Sequence, residues 1–257
     1  MSAKQVNHPI AVITGGSRGL GKNMALHLGD VGVDVVITYR SGEKEAREVA
    51  AQIEAKGQKA VALYLDVADA RSFGAFAETL KTELGRVWNR DRFDHLVNNA
   101  GTGLHASIAE TTEEQFDRLV NVHLKATFFL TQKLLPLLAD GGRIVNVSTG
   151  LARFTYPGYS AYAAMKGGVE VLTRYMAKEL GPRGISVNTI APGAIATDFN
   201  GGTVRDNPQV NAFVAAQTAL GRVGMPDDVG GAVEMLLAPG SRWITGQRIE
   251  VSGGQGL

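Results

Sequence analysis

Tyr162 and Lys166 have the residue types and the spacing of an acid/base pair. They stand four residues apart in Tyr162-Ala-Ala-Met-Lys166, so a helix would place the phenol and the ammonium on one face. A free phenol has a pKa of about 10, too high for proton exchange near neutrality, but a nearby cation favours the phenolate. We expect Tyr162 to exchange a proton with a substrate oxygen and Lys166 to lower its pKa. Because such spacing also occurs on solvated helix surfaces, the pair needs support from elsewhere in the chain.

A glycine-rich stretch near the N-terminus supplies that support. Thr14–Gly21 reads T-G-G-S-R-G-L-G and joins a predicted strand to a predicted helix. Glycine lets the backbone turn tightly and approach a pyrophosphate, and the helix N-terminus attracts its negative charge. The spacing differs from the G-x-G-x-x-G fingerprint. Its place at the first strand-to-helix junction nevertheless predicts a dinucleotide site at Gly15, Ser17, Arg18, Gly19, Leu20 and Gly21.

The end of the second strand predicts which dinucleotide binds. NAD sites place an acidic residue there for the ribose hydroxyls, whereas NADP sites accommodate the 2′-phosphate with a basic residue. Here the strand runs into Tyr39, Arg40 and Ser41, with no acid. Arg40 and Arg18 could clamp a 2′-phosphate, although both could instead be solvated surface arginines. We predict NADP(H) as the cofactor, with NAD(H) less favoured.

Apolar, β-branched runs alternate with helical segments along the chain. Strands are predicted at Ile10–Thr14, Val33–Tyr39, Ala60–Leu65, His95–Asn98, Arg143–Val147, Ser186–Ile190 and Gln247–Val251. Helices are predicted at Gly19–Gly29, Glu43–Lys56, Asp69–Leu84, Glu113–Leu138 and Tyr159–Leu180. This alternation predicts one α/β domain over residues 1–257, a doubly wound (Rossmann) parallel sheet of about seven strands with helices on both faces. The irregular segment at about 194–218 is expected to form a substrate lid.

Composition narrows the classes of partner. The chain has 257 residues, a formal charge of +1 and no cysteine, which gives no reason to expect nucleic acid or an anionic membrane and removes thiolate chemistry. Met1–Pro9 lacks an apolar signal-peptide core, and polar residues interrupt the apolar stretch Leu119–Ala139. We expect a cytoplasmic protein with a small-molecule substrate. No catalytic metal is expected, because metal-ligand spacing with acidic partners is lacking at His8, His27, His95 and His105.

Taken together, these features resemble the short-chain dehydrogenase/reductase family in its compact single-domain form. The resemblance covers nearly the whole chain, and the motifs follow the family's order: Thr14–Gly21, Asp66-Val67, Asn98–Gly101, Ser148-Thr149, Tyr162 with Lys166, Pro192-Gly193 and Ile249–Gly254. It implies hydride transfer between NADP(H) and a carbonyl or alcohol, with Tyr162 as acid/base and Lys166 on the nicotinamide ribose. The further cofactor contacts that it implies are Asp66, Val67, Asn98, Ala100, Gly101, Pro192, Gly193, Ile195 and Thr197.

Two positions depart from the family's pattern. The family's catalytic hydroxyl is usually a serine thirteen residues before the tyrosine, which here is Thr149, next to Ser148. Neighbouring strand residues face opposite ways, so only one of them should meet the substrate, and we favour Thr149. The family's fourth catalytic residue is an Asn, and His123 occupies its position. His123 could order the same water relay to Lys166, or it could be a hydrogen-bonded buried histidine.

Alternative functions share part of this pattern. A 3-oxoacyl-carrier-protein reductase would carry all of these motifs and would need a basic patch, for which Arg153, Arg205 and Arg222 are candidates. A non-catalytic nicotinamide-nucleotide sensor generally lacks the Tyr or the Lys. The resemblance also implies a homotetramer. It places Phe154, Tyr156 and Tyr159 around a partly apolar substrate, although ordinary loop packing would account for these rings as well.

Overall fold

A single parallel sheet organises the chain. The computed structural model describes residues 8–257, so all but the last two residues of the Met1–Pro9 segment lie outside the described part. The strands are β1 (Ile10–Ile13), β2 (Asp34–Tyr39), β3 (Ala60–Tyr64), β4 (Phe93–Asn98), β5 (Leu138–Val147), β6 (Ser186–Pro192) and β7 (Arg248–Val251). Their order across the sheet is β3-β2-β1-β4-β5-β6-β7, and every neighbouring pair is parallel. The order reverses between β1 and β4, where sheets of this type bind ligands.

Helices cover both faces of this sheet. In the described residues they are α1 (Gly19–Asp30), α2 (Glu43–Glu54), α3 (Phe73–Glu83), α4 (Glu113–Leu119), α5 (Ala126–Leu134), α6 (Ser160–Leu180), α7 (Thr203–Asp206), α8 (Pro208–Ala216) and α9 (Pro226–Leu237). One core joins the sheet to α3, α5 and α6, and a second joins it to α1, α2 and α9. The predicted doubly wound α/β fold is therefore confirmed, and the single domain stays a prediction.

The predicted helix Glu113–Leu138 is wrong in two respects. A π-helical turn, Val120–Lys125, interrupts it, and the last α-helical residue is Leu134. Pro136 cannot continue the hydrogen-bond ladder, since it has no N–H and its ring crowds the preceding turn. Leu138 instead begins β5, five residues earlier than predicted. The pairing of β4 with β5 is irregular there, because Phe93 pairs with Leu138 and His95 with Arg143. Apolar content alone did not separate the end of a buried helix from the start of a buried strand.

The segment Asp69–Leu84 also differs from one uniform helix. A 3-10 turn, Ala70–Ser72, precedes α3, and the Asp69 carboxylate caps it by accepting from the Arg71 amide at 3.2 Å. A π-helical turn, Leu84–Trp88, follows α3. Among residues 8–257, no helix combines the length and the apolar character needed to cross a membrane.

Candidate active site

The glycine loop leaves β1 in a conformation that excludes larger residues. Gly15 has φ +67° and Gly19 has φ +55°, values that L side chains rarely adopt. A Cβ at position 21 would lie 2.2 Å from the Gly15 carbonyl oxygen, so α1 can begin directly against the loop only with glycine there. The predicted loop residues are thereby brought together at the carboxyl end of β1, with the N-terminus of α1 facing the same side.

Thr14 and Asn99, which were not among the predicted site residues, hold this loop. The Thr14 hydroxyl accepts from the amides of Asn99 and Ala100, both at 2.9 Å. The Asn99 side chain donates to the carbonyls of Thr14 at 2.8 Å and Gly15 at 3.3 Å. The glycine loop and the loop after β4 therefore form one hydrogen-bonded unit. The motif Asn98–Gly101 indicated a cofactor-binding loop, but its spacing did not show which of the two adjacent asparagines faces the glycine loop.

Asn98 itself points into the protein. Its amide donates to Asn146 Oδ1 at 2.8 Å and to Thr131 Oγ1 at 3.1 Å, and Asn146 donates to Thr173 at 2.9 Å. A buried polar group must be paired to avoid a large desolvation cost, and this chain of bonds satisfies that demand. The Asn98 side chain thus ties β4 to β5 and α5, and only its backbone borders the predicted cofactor wall.

The two predicted phosphate-binding arginines are free to bind an anion. Arg18 precedes α1, Arg40 follows β2, and both side chains are exposed. Within residues 8–257 neither forms an ion pair. Ser41 is exposed beside Arg40, whereas Asp66 is partly buried and accepts from the Ala68 amide at 2.9 Å. This geometry leaves a cationic edge beside the glycine loop and an orienting carboxylate at the end of β3.

The backbone after β6 completes the carboxyl edge. Pro192 ends β6, the Gly193 amide donates to the Val251 carbonyl at 3.1 Å, and the Ala194 amide donates to Gln255 Oε1 at 2.9 Å. A Cβ at Gly19 would lie 3.8 Å from Thr197, so Thr197 faces the glycine loop. The predicted residues Pro192, Gly193, Ile195 and Thr197 therefore lie on the same edge as the loop.

Ser148 and Thr149 face different surroundings. Ser148 is buried, and its hydroxyl donates to Glu170 Oε1 on α6 at 2.6 Å. The Thr149 hydroxyl accepts from the Leu151 amide at 3.3 Å, and it is close enough to the Tyr162 phenol to lower the pKa of that phenol. The alternation along an extended backbone produces this division. Thr149 is therefore the hydroxyl that the structure brings to Tyr162.

Burial and the Thr149 hydrogen bond act in opposite directions on Tyr162. Burial raises the pKa of the phenol well above its ordinary value, and the hydrogen bond from Thr149 lowers it. Lys166 Nζ lies 5.9 Å from the centre of the Tyr162 ring and donates to the Val147 carbonyl at 2.6 Å. The expected lowering of the Tyr162 pKa by Lys166 is not found in the protein alone: burial dominates, and the phenol is held protonated.

Lys166 is itself buried, and burial lowers the pKa of its ammonium to about 8. It stands one helical turn after Tyr162 on α6, as the spacing predicted. Its one described hydrogen bond, to Val147, leaves it further donors for a partner on the open side.

His123 lies in the π-helical turn and packs against Tyr162. The two ring centres are 5.3 Å apart at 80°, an edge-to-face contact. Nε2 donates to the Thr102 carbonyl at 2.8 Å, so Nδ1 of the neutral ring is an acceptor, and Nδ1 is buried without a partner in the described residues. His123 and Lys166 both line a cavity of about 10 Å³, which is close to the space that one water molecule needs. Burial, with Lys166 acting in the same direction, lowers the pKa of His123 to about 3.

These buried histidines predict a loss of stability in mild acid. His95 is likewise buried, which lowers its pKa to about 4, whereas an unfolded histidine titrates near 6.5. As the pH falls below 6.5, the unfolded chain binds protons that the native chain does not, so the free energy of unfolding decreases. Between pH 7 and pH 5 each histidine should remove about 2 kcal/mol.

Urea unfolding at a series of pH values measures this effect. His123→Asn should flatten the pH dependence between 6.5 and 5, and His105→Gln, a change of an exposed histidine, should leave it as in the wild type. A His123→Asn protein whose unfolding free energy keeps the full wild-type pH dependence would contradict the assignment.

The predicted lid residues lie above Tyr162. The centre of the Phe199 ring is 6.1 Å from that of Tyr162, and Phe199 is 44% exposed. Asn200, at φ 52°, and the two glycines after it turn the chain into α7. A Cβ at Gly103 would lie 1.7 Å from Asn200 Oδ1, so the segment rests directly on the loop after β4.

Further aromatic rings contact one another in the loop before α6 and on α8. Tyr156 contacts Phe154 at 5.6 Å and Phe213 of α8 at 6.1 Å between ring centres. Tyr159 contacts His105 at 5.0 Å. Phe199 and Phe213 lie within the predicted lid but were not singled out, since sequence spacing alone does not show which lid residues approach Tyr162 or the loop before α6.

The candidate basic patch is neutralised. Arg153 pairs with Glu250 at 2.7 Å, Arg222 with Asp228 at 2.6 Å, and Arg205 with Asp198 and Asp206. Each guanidinium therefore has a carboxylate partner, and the three do not form a free cationic surface for an acidic carrier. In the described residues, no group of three or more His, Asp or Glu side chains is arranged to hold a metal ion.

Comparison with known proteins identifies the family of this chain. A family model described as enoyl-(acyl carrier protein) reductase, which belongs to the short-chain dehydrogenase/reductases, matches residues 15–255. The chain belongs to the short-chain dehydrogenase/reductase family. The resemblance inferred from its motifs is confirmed, and the chain is an NAD(P)-dependent oxidoreductase of that family.

Individual relatives cover nearly the whole chain. The hydroxynaphthalene reductase-like protein Arp2 of Metarhizium brunneum is 36% identical over 256 residues, 95% of this chain and 94% of its own. The promiscuous reductase LugOII, which catalyses keto-reduction at C1 in lugdunomycin biosynthesis, has a TM-score of 0.92 at 38% identity and covers 99% and 100% of the two chains. The angucycline C-6 ketoreductase LanV with bound NADP has a TM-score of 0.92 at 35% identity, covering 96% and 95%.

Proposed function

We propose that this family member is an NADP(H)-dependent carbonyl reductase, able to run in reverse as an alcohol dehydrogenase, in which Tyr162 is the acid/base. The observation that carries this proposal is the grouping of three side chains beside the glycine loop. The Thr149 hydroxyl is close enough to the Tyr162 phenol to lower its pKa, and Lys166 lies one turn after Tyr162 on the same helix. All three are buried: Thr149 follows the carboxyl end of β5, and Tyr162 and Lys166 lie in the first two turns of α6.

The residues present fit a phosphorylated dinucleotide. The cradle of Gly15, Gly19 and Gly21 would receive a pyrophosphate at the N-terminus of α1, and Arg18 and Arg40, which form no ion pair within residues 8–257, would bind a 2′-phosphate. Ser41, Asp66, Val67 and the backbone of Ala100 and Gly101 would border the adenosine half. LanV, 35% identical, binds NADP, which supports the same choice here. When bound, the dinucleotide supplies the hydride.

Side chains of the protein then transfer the proton. In the reductive direction the Tyr162 phenol gives its proton to the carbonyl oxygen, and the Thr149 hydroxyl donates a hydrogen bond to that oxygen as negative charge develops. The burial that raises the pKa of Tyr162 keeps the acid protonated at neutral pH. Lys166 has donors left to hold a ribose hydroxyl on the open side.

We assign His123 to the supply of protons behind this pair. His123, whose Nδ1 has no partner within residues 8–257, and Lys166 line the same small cavity, and we infer that a water molecule there accepts from Lys166 and donates to Nδ1. With a pKa of about 3 the imidazole stays neutral at working pH, so His123 orders water and does not itself titrate.

The proposed substrate is an aromatic ketone held beneath the segment 194–218, which acts as a lid. The exposed ring of Phe199 lies beside Tyr162, and the exposed ring of Phe213, which contacts Tyr156, offers a further stacking surface on the same segment. The keto-reduction catalysed by LugOII and LanV and the hydroxynaphthalene reductase-like relative support this class. A 3-oxoacyl-carrier-protein reductase is less supported, since Arg153, Arg205 and Arg222 are already paired.

The loss of NADPH absorbance with a panel of carbonyl compounds tests the proposal. Polycyclic aromatic ketones and quinones should be reduced with higher kcat/KM than 3-oxoacyl thioesters, sugars or small aliphatic ketones. Saturating binding of NADPH without turnover of any carbonyl would favour a nucleotide sensor instead.

The two adjacent hydroxyls give a second test. Thr149→Val should lower kcat by about 100-fold, the usual loss when one donor to a developing oxyanion is removed. Ser148→Ala should lower kcat by no more than about tenfold, because Ser148 donates to Glu170 and not towards Tyr162. Steady-state kinetics with one aromatic ketone measures both, and a greater loss in the Ser148 variant would reverse the assignment.

We also propose a homotetramer. Helices α4–α6 expose Phe116, Phe128, Phe129, Val171 and Tyr175, and a second apolar surface near α9 exposes Met235 and Trp243, the latter at 95%. Contiguous exposed apolar surface is typical of subunit contacts. Light scattering should give four times the 27.2 kDa chain mass, and a monomer mass would contradict the proposal. A cytoplasmic location stays a prediction.

A further inference from the structure

The buried Ser148 hydroxyl has an unusual partner, a carboxylate from the neighbouring helix. It donates to Glu170 Oε1 at 2.6 Å and approaches the Lys166 carbonyl at 3.4 Å. Glu170 follows Lys166 by four residues, as Lys166 follows Tyr162, so the three lie along one face of α6. The carboxylate is therefore on the helix face that carries the proton-transfer residues, two turns from the phenol.

Arg248, on the last strand, fixes this carboxylate from the other side. Its Nε donates to Glu170 Oε1 at 2.8 Å, one terminal nitrogen donates to Glu250 at 2.8 Å, and the other reaches the Thr149 carbonyl at 3.3 Å. The Arg248 and Glu170 side chains are 22% and 13% exposed. A partly buried, charge-assisted network of this kind holds its members in one geometry better than a surface ion pair does.

The network acts on the residues that the mechanism uses. The end of β5 is held at three successive residues: the Val147 carbonyl accepts from Lys166, the Ser148 side chain donates to Glu170, and the Thr149 carbonyl accepts from Arg248. Because the Ser148 side chain and the Thr149 carbonyl are both anchored, the backbone between them is fixed, and with it the direction of the Thr149 side chain.

We propose that Glu170 and Arg248 are positioning residues that, through Ser148 and the Thr149 carbonyl, hold the Thr149 hydroxyl against the Tyr162 phenol. This rests on the proposed role of Tyr162 and goes beyond it by including residues that touch neither substrate nor dinucleotide. A shift of the reacting groups by about 1 Å can reduce a rate by up to about 100-fold, so residues that fix this contact can strongly affect turnover.

The test uses Ser148→Ala, Glu170→Gln and the double variant, assayed in both directions. Each single change should lower kcat about tenfold and leave KM for NADPH within twofold, since the glycine loop is untouched. The double variant should lose little more than the worse single variant, because both changes act on one contact. Glu179→Gln, a change of an exposed residue on the same helix, should match the wild type.

The pH profile of alcohol oxidation separates positioning from general loss of structure. The Thr149 hydrogen bond lowers the pKa of Tyr162, so a displaced Thr149 raises that pKa. Alcohol oxidation needs the phenolate of Tyr162. The pH at which the oxidation rate rises should therefore be higher in Ser148→Ala and Glu170→Gln than in the wild type, as it should be in Thr149→Val. A smaller folded fraction would scale the rate without changing that pH.

The positioning role would be overturned if Ser148→Ala and Glu170→Gln kept wild-type kcat and the wild-type pH profile while Thr149→Val was impaired. The proposed function would then still stand. A Tyr162→Phe protein as active as the wild type would instead reject the proposed function itself.

Discussion

Tyr162→Phe should lower kcat for carbonyl reduction by about 10³-fold and leave NADPH binding unchanged. The substitution removes the hydroxyl that gives a proton to the carbonyl oxygen and keeps the ring that packs on His123 and Phe199. General acid catalysis contributes about 10² to 10⁴ to a rate. The measurement is steady-state kinetics with an aromatic ketone, together with NADPH titration followed by fluorescence.

Tyr175→Phe is the matched control for this change. Tyr175 lies on the same helix, is 65% exposed and faces away from the site, so its loss should leave kcat as in the wild type. A Tyr162→Phe protein that retains more than about a tenth of wild-type kcat would mean that another group, or water, provides the proton.

Replacing both Arg18 and Arg40 by alanine should lower the preference for NADPH over NADH by about 10³-fold. Each guanidinium is exposed, without an ion pair in the described residues, and placed beside the glycine loop. A hydrogen bond to a charged group contributes about 1.5–3 kcal/mol, and the two together approach a factor of about 10³. The change should raise KM for NADPH and leave kcat/KM for NADH almost unchanged, because NADH lacks the 2′-phosphate.

The ratio of kcat/KM for the two dinucleotides measures this preference. Arg92→Ala is the control, since Arg92 is exposed at the amino end of β4, on the opposite edge of the sheet from the glycine loop. An unchanged ratio in the double variant would show that Arg18 and Arg40 are solvated surface arginines, the alternative that the sequence left open.

Sequence patterns predicted the fold well because buried parallel strands and their crossover helices repeat a strong signal. The alternation of apolar runs and helical segments predicts all seven strands, and it assigns the glycine loop, Tyr162 and Lys166 to the correct elements. The predicted element boundaries were wrong where two buried elements follow each other without polar residues between them, as between Leu134 and Leu138. The π-helical turn at His123 also went unpredicted, because it changes the hydrogen-bond ladder without changing the hydrophobic pattern.

The site was predictable in its local parts and not in its long-range contacts. The alternation of a strand predicted that only one of Ser148 and Thr149 faces Tyr162, but which one depends on Glu170 and Arg248, 22 and 99 residues away from their partners. The roles of Asn99 and Phe199 likewise arise from tertiary contacts. A lowering of the Tyr162 pKa by Lys166 was expected from charge alone, but burial dominates the pKa of the phenol, and burial depends on how the whole site is packed.

Transfer of deuterium from NADPH labelled at the hydride position to an aromatic ketone tests the central claim most directly. The wild-type enzyme should yield an alcohol with the deuterium on the former carbonyl carbon, and Tyr162→Phe should bind the labelled cofactor but form about 10³-fold less labelled product per unit time. An alcohol without the label, or equal labelled product from Tyr162→Phe and wild type, would contradict hydride transfer assisted by Tyr162.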